Sequence, residues 1–152
     1  MIVLGFKDKF KIISKRRKIK LPQVASELGI ESSAFRDSIN KGTIKESEIK
    51  QIGNILGCKT FIRLLEKGFD RRKVIVSNVN CIDIEMCKFS YHDELCMKLT
   101  REMFEKIGVI NDDDFKKRTE LSDLYLKDII AIGNEIGYDA EIIFRFNDGS
   151  EL

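Results

Sequence analysis

The chain has 152 residues, of which 43% are hydrophobic and 34% are charged, and its formal net charge is +2. This length suits one domain or two small ones, and the hydrophobic content is sufficient for a buried core. No apolar run approaches the roughly 18 residues of a membrane-spanning helix. The short apolar start, Met1–Phe6, lacks the basic residues of a signal peptide. We therefore expect a cytoplasmic protein with no membrane partner.

The small net charge conceals two halves of opposite charge. Residues 1–73 contain 18 Lys and Arg against 8 Asp and Glu, a net charge of +10, whereas residues 74–152 contain 9 against 17, a net charge of −8. Such an asymmetry favours a nucleic-acid-binding surface on the basic half. The acidic half is free to serve another role, such as binding a protein partner.

Residues 6–18 are predicted to form the first helix, with Phe6, Phe10 and Ile13 on its buried face. A basic run ends this helix, and another lysine follows the third predicted helix. We expect these cations to neutralise DNA phosphates. A solvated basic face, or the preference for cations at helix C-termini, would also explain them. The candidate phosphate contacts are Lys15, Arg16, Arg17, Lys18, Lys20 and Lys41.

The stretch 21–40 predicts two short helices that meet at a tight corner. In the first helix, Val24, Ala25 and Leu28 have the spacing of one helical face. Gly29 follows, where a helix end favours a residue that tolerates a positive φ. These residues predict a helix that packs on one side and stops at the glycine.

The second helix of this pair is expected to bury Phe35 and Ile39, which are four residues apart. Its opposite face carries short polar side chains and one long cation, a combination that can read base edges in the major groove. Arg36 is the candidate for a guanine contact. The candidate base contacts are Ser33, Ala34, Arg36 and Asp37.

The pattern Val24-Ala25-x-x-Leu28-Gly29-Ile30-x-x-Ser33-x-Phe35 is followed by a predicted closing helix, 45–56. With its flanks, 7–56, this segment resembles the Cro/phage-repressor (XRE-type) family of helix-turn-helix DNA-binding regulators. Lys20 stands where that family usually has a Ser or Thr cap, and Leu21 where a glutamine is frequent. The resemblance implies a sequence-specific transcriptional regulator, with repression as the expected action and double-stranded DNA as the partner.

The second half repeats part of the first, 80 positions later. Ile52-Gly53-Asn54-x-x-Gly57 recurs as Ile132-Gly133-Asn134-x-x-Gly137, and a predicted strand follows each copy, at 59–65 and 140–146. Upstream, the segment 103–109 parallels 24–30. The corner of this second copy, Asn111-Asp112-Asp113-Asp114, would repel phosphates. We therefore expect a degenerate helix-turn-helix-like unit that packs against the first or binds a partner.

Four cysteines and one histidine raise the question of a metal site. Cys81, Cys87, His92 and Cys96 form the one cluster with metal-ligand residue types. The run between the first two cysteines alternates like a strand, which would hold their thiols about 20 Å apart. We expect no metal ion and no cofactor. Since the sequence also presents no catalytic set, we expect no enzyme activity.

These patterns predict an α+β fold that is mostly helical. Its parts are an N-terminal five-helix helix-turn-helix bundle, short strands in the middle, and a second helix-turn-helix-like unit that ends in a strand. The expected domains are 1–68, which binds DNA, and 69–152, a strand-rich connection with an acidic packing or partner domain. We expect a homodimer or an internal pseudo-dimer. The competing interpretation is a phage or mobile-element interaction protein whose acidic C-terminal half binds or inhibits a protein partner, with the helix-turn-helix serving autoregulation.

Overall fold

The computed structural model describes residues 5–68, 81–87, 123–135 and 137–152, apart from the side chain of Ile82. Several sequence predictions lie outside these residues: the segment 103–109, the acidic corner at 111–114, and the two metal-ligand candidates His92 and Cys96. These residues comprise most of the basic half and three segments of the acidic half that pack against it, 81–87, 123–135 and 137–152.

In these residues the chain forms five helices and three strands, so the fold is α+β, and about half of the described residues are helical. The expected N-terminal bundle of five helices has four, and the fifth helix comes from the C-terminal half. None of the helices in this part of the chain is long and apolar enough to cross a membrane. The elements are α1 (Phe6–Arg17), α2 (Leu21–Leu28), α3 (Ser32–Lys41), α4 (Glu46–Ile55), β1 (Lys59–Glu66), β2 (Cys81–Glu85), α5 (Leu126–Glu135) and β3 (Tyr138–Arg145).

β1 corresponds to the strand predicted at 59–65, and its sequence favours a strand that is covered from both sides. Phe61, Ile62, Leu64 and Leu65 are all buried, and the run contains the β-branched and aromatic residues that suit a pleated surface. β1 is the central strand of an antiparallel sheet with the order β2-β1-β3. Its backbone groups are therefore paired on both edges.

Two antiparallel pairs join residues that are 80 positions apart. In the sheet, Ile62 of β1 pairs with Ile142 of β3. Outside the sheet, an isolated bridge joins Lys45, just before α4, to Tyr125, just before α5. A two-fold axis between two copies of one unit pairs each residue on the axis with its own equivalent. Both pairs have this property.

The helices beside the bridge follow the same relation. α4 and α5 begin 80 positions apart, at Glu46 and Leu126. The Glu46 N–H donates to the Leu124 carbonyl at 3.0 Å, and the Leu126 N–H donates to the Ile44 carbonyl at 2.9 Å. Each of these bonds becomes the other when equivalent residues are exchanged. These pairings are the ones that a local two-fold axis between α4 with β1 and α5 with β3 would produce.

Aromatic rings join α1 to both α3 and β3. Phe6 stacks on Phe144 with ring centroids 5.8 Å apart, and Phe10 meets Phe35 edge-on at 5.7 Å. On the same helix the buried Lys9 ammonium donates to a β3 backbone carbonyl at 2.6 Å. These contacts fix α1, and through it α3, relative to the sheet.

Groups from the C-terminal half hold the N-terminus of α4. Ser47 donates to the Asp123 carboxylate through its hydroxyl at 2.8 Å and through its backbone N–H at 2.9 Å. The buried Glu46 carboxylate accepts the N–H of Leu124 at 2.9 Å and of Cys87 at 3.3 Å. Burial raises the pKa of Glu46 to about 7, against the opposing effect of these two hydrogen bonds.

Candidate nucleic-acid interface

A glycine turn joins α2 to α3. Gly29 has φ 71°, a left-handed conformation that costs other residues roughly 1–2 kcal/mol. The Gly29 N–H donates to the Ser26 carbonyl at 3.0 Å, and the Ile30 N–H donates to the Ala25 carbonyl at 2.9 Å. These bonds satisfy the last carbonyls of α2 locally. The chain can therefore begin α3 after a short linker.

The contact between α2 and α3 depends on small and apolar side chains. Val24 and Ala25 of α2 and Phe35 of α3 are fully buried. Because Ala25 carries only a methyl group, the two helices can approach closely at that point. This packing, together with the Phe10–Phe35 contact, determines which face of α3 remains outside.

The outer face of α3 is exposed and polar. All four candidate base contacts lie on it and line one open depression of about 500 Å³. The Ser33 hydroxyl donates to the Glu31 carboxylate at 3.1 Å. Arg36 is exposed and is the longest side chain on this face. The residues that line the depression are Ser33, Ala34, Arg36, Asp37 and Asn40.

One of the candidate base contacts is paired with one of the candidate phosphate contacts. The Lys41 ammonium lies 2.8 Å from the Asp37 carboxylate, one helical turn away, and both side chains are exposed. The hydrogen bond and the charge of Asp37 raise the pKa of Lys41. Lys41 therefore has a carboxylate partner before any phosphate is present.

The basic run at the end of α1 divides between two sides of the molecule. The Arg16 and Arg17 guanidinium groups lie over the Phe146 ring, 5.9 Å and 5.6 Å from its centroid. Lys15, Lys18 and Lys20 instead line a groove that also contains Arg36 of α3. Of the candidate phosphate contacts, Lys15, Lys18 and Lys20 are thus brought beside the outer face of α3, and the two arginines are not.

Two further lysines on α1 belong to the same groove and were not among the sequence candidates. Together with two of the run they form the lysine stripe, which we define as Lys7, Lys11, Lys15 and Lys18. Their spacing of four, four and three residues places all of them on one face of a helix. That spacing could have identified Lys7 and Lys11 from the sequence. Lys18 itself ends α1 in the left-handed conformation, with φ 56°.

The cysteines in the described residues offer no metal centre. Cys81 begins β2 and Cys87 follows its end, while Cys58 is buried beside the end of α4. Burial raises the pKa of the Cys58 and Cys81 thiols. In this part of the chain no group of three or more His, Cys, Asp or Glu residues is placed to hold a metal ion.

Comparisons with protein-family models, with curated proteins and with solved structures gave no match. The function of the chain must therefore be inferred from the geometry and charge of this surface.

Proposed function

We propose that the chain is a sequence-specific regulator of transcription, most simply a repressor, that binds double-stranded DNA through α2 and α3 acting as a helix-turn-helix. The observation that carries the proposal is that the polar face of α3 and the lysine stripe form one continuous surface. The exposed polar face of α3 joins the lysine stripe through Arg36, which lines both the depression on α3 and the groove beside it. A short polar helix face next to a row of cations is what major-groove binding requires.

In this proposal the two parts of the surface have different tasks. Arg36 donates two hydrogen bonds to a guanine, and Ser33 and Asn40 contact neighbouring base edges. Lys18 and Lys20, at the turn before α2, neutralise phosphates and fix the register of α3 without reading sequence. Lys7, Lys11 and Lys15 extend the phosphate contacts along the backbone.

The local two-fold axis supports an internal repeat, in which α5 and β3 are the counterparts of α4 and β1. We propose that the chain is an internal pseudo-dimer with one working DNA-binding face. A palindromic operator would then require two chains, with half-sites about 34 Å apart or a multiple of that distance. Footprinting of the species identified by sedimentation tests this arrangement, and a single chain that protects two adjacent major grooves would contradict it.

The experiment that tests DNA binding is fluorescence anisotropy of the full chain on duplex DNA at several salt concentrations. If four or five cations contact phosphates, the slope of log K against log salt is about −4. Lys18→Ala should weaken binding to random DNA, while Lys50→Ala, which removes an exposed lysine from α4, is the matched control.

Three outcomes would overturn the proposal: no binding at low salt, binding that is independent of salt, or equal losses for the two lysine variants. Failure of DNA binding would favour the competing function, in which the acidic half, 74–152, engages a protein partner. The net charge of −8 on that half is the observation that keeps this second function open.

A further inference from the structure

A groove with an apolar floor and a cationic rim lies beside the proposed DNA-binding face. Its volume is about 670 Å³, within the range of roughly 300–1,000 Å³ that small-molecule sites occupy. Along α1 it runs from Lys7 to Lys18, about 16 Å at 1.5 Å per residue. The turn before α2 and the second half of α3 complete its walls.

The floor of the groove is hydrophobic. It is formed by Phe10, Ile19, Leu21 and Ile39, and Ile19 and Leu21 are only partly buried. Covering apolar surface of this kind is favourable. A DNA backbone of phosphates and sugars does not match such a floor, so DNA binding alone leaves this surface unexplained.

The charged residues at the rim of the groove are all cations. Among the described residues that line it none is acidic, so the lining itself attracts an anion. Ser14 also lines the groove, and its buried hydroxyl oxygen has no hydrogen-bond partner within the described part of the chain. The charged residues of the rim are Lys7, Lys11, Lys15, Lys18, Lys20 and Arg36.

We propose that this groove binds a free fatty acid, with the aliphatic chain on the apolar floor and the carboxylate at the turn before α2. The carboxylate lies there because Lys18 and Lys20 line that end, Arg36 is a further cation of the same groove, and the N-terminus of α2 adds positive potential. These cations are also the proposed DNA contacts, so a bound fatty acid competes with DNA. The competition rests on the proposed function, whereas the binding itself does not.

Isothermal titration of the full chain with dodecanoate, below its micelle concentration, tests the binding. Dodecyltrimethylammonium has the same tail with a cationic head, and acetate has the same head without the tail. We expect saturable binding of one dodecanoate per chain, and binding at least tenfold weaker for each of the other two. No saturable binding of dodecanoate, or equal binding of the cationic amphiphile, would overturn the proposal.

A pair of matched variants locates the site. Leu21→Glu places a carboxylate in the floor at the first position of α2, where helices accept acidic residues. Ile130→Glu makes the same change at an apolar side chain of α5 that is 40% exposed and lies outside the groove. We expect the first variant to weaken dodecanoate binding at least tenfold and the second to leave it within twofold. Equal effects would overturn the assignment of the site.

If Leu21→Glu does not fold, the changes that dodecanoate causes in the amide chemical shifts of the wild-type chain locate the site. Shifts induced by dodecanoate at α1 and residues 18–21 support the groove, and shifts confined to other elements refute it. Vesicles of anionic phospholipid separate the two sources of an acyl anion. Sedimentation of the chain with vesicles, without binding of free dodecanoate, would show a membrane surface as the ligand and overturn the proposal.

Anisotropy with labelled DNA completes the test. Dodecanoate should release DNA from the wild-type chain at concentrations that fill the groove, and should release it less readily from Leu21→Glu. Dodecanoate binding without any DNA binding would refute the proposed function and leave the ligand site standing. DNA binding without dodecanoate binding would refute the ligand site and leave the proposed function standing.

Discussion

Replacing Glu46 with glutamine should change how the stability of the fold depends on pH. Glu46 is fully buried at the start of α4, where its carboxylate accepts the N–H groups of Leu124 and Cys87. Burial disfavours the charged form, and the two hydrogen bonds favour it. Burial prevails and, with a smaller contribution from the nearby Asp123 carboxylate, raises the pKa from its ordinary value of 4.5 to about 7.

The sign and size of the effect follow from linkage. Between pH 4.5 and about 7, the folded chain holds the Glu46 proton more tightly than the unfolded chain does. The free energy of unfolding therefore falls as the pH rises through this window, and becomes level above it. At roughly 1.4 kcal/mol for each unit by which the pKa is raised, the loss is about 3 kcal/mol. That is a substantial part of the roughly 5–15 kcal/mol by which domains are stable.

Urea denaturation of the wild type and of Glu46→Gln across this pH window measures the effect. Glutamine has a similar shape and does not titrate, so the wild-type stability should fall relative to that of the variant by about 3 kcal/mol as the pH rises. The amide has a single acceptor oxygen, so one of the two backbone N–H groups loses its partner. That loss costs the variant about 1–3 kcal/mol at every pH.

The control is Glu48→Gln, which removes a carboxylate from the same helix. Glu48 accepts the Lys45 N–H at 3.0 Å, and a glutamine oxygen can accept it as well. This variant therefore reports the loss of a carboxylate charge at the same helix start without the loss of Glu46. A difference in stability between wild type and Glu46→Gln that stays constant from pH 4.5 to above 7 would refute the reasoning. It would mean that Glu46 keeps its charge at the interface of α4 with residues 123–125.

Arg36→Ala should weaken binding to a selected site by about 1–3 kcal/mol and relax one base position. Lys18→Ala should weaken binding to all DNA alike and reduce the salt slope by about one, and anisotropy on cognate and random duplexes separates the two effects. Equal losses on both duplexes for Arg36→Ala would argue against a base contact. Gly53→Ala should lower the free energy of unfolding by about 1–3 kcal/mol, because its Cβ would lie 2.7 Å from Thr60 Cγ2 and 3.1 Å from the Cys58 carbonyl oxygen. Thr60→Ser removes that methyl and should recover part of the loss in urea denaturation, whereas a Gly53→Ala variant as stable as wild type would contradict the close approach.

The turn between α2 and α3 could be predicted from the sequence because its causes are local. Gly29 supplies the left-handed residue, and the spacing of Phe35 and Ile39 determines the buried face of α3. The predicted helix 6–18 differs from α1 by one residue at its C-terminal end, and the predicted helix 45–56 differs from α4 by one residue at each end, which is the usual fraying of helix boundaries. The exposed face of α3 followed directly from the buried one.

The division of the basic run could not be predicted, because it depends on distant residues. The Arg16 and Arg17 guanidinium groups lie over the ring of Phe146, which is some 130 positions further along the chain. Glu46 presents the same difficulty. An acidic residue at a helix start is expected to lie in water as a cap, and it is buried here because residues 87 and 123–125 cover it. Such contacts arise from long-range packing, and no local pattern in the sequence encodes them.

The isolated segment 1–68, although expected from the helix-turn-helix pattern to be a domain, should not fold as a stable monomer. β1 would lose both of its neighbours, which exposes two unpaired strand edges. Phe61, Ile62, Leu64 and Leu65 would lose their paired neighbours on β2 and β3, and Leu64 its contact with α5, while α4 would still lie against β1. Full exposure of a buried side chain costs about 1.5–3 kcal/mol, so partial exposure of these four removes a substantial part of the roughly 5–15 kcal/mol by which domains are stable. Circular dichroism in urea should show no cooperative transition, or sedimentation should show association through β1. A monomeric segment with a cooperative transition would mean that the N-terminal helices form a folding unit without the sheet.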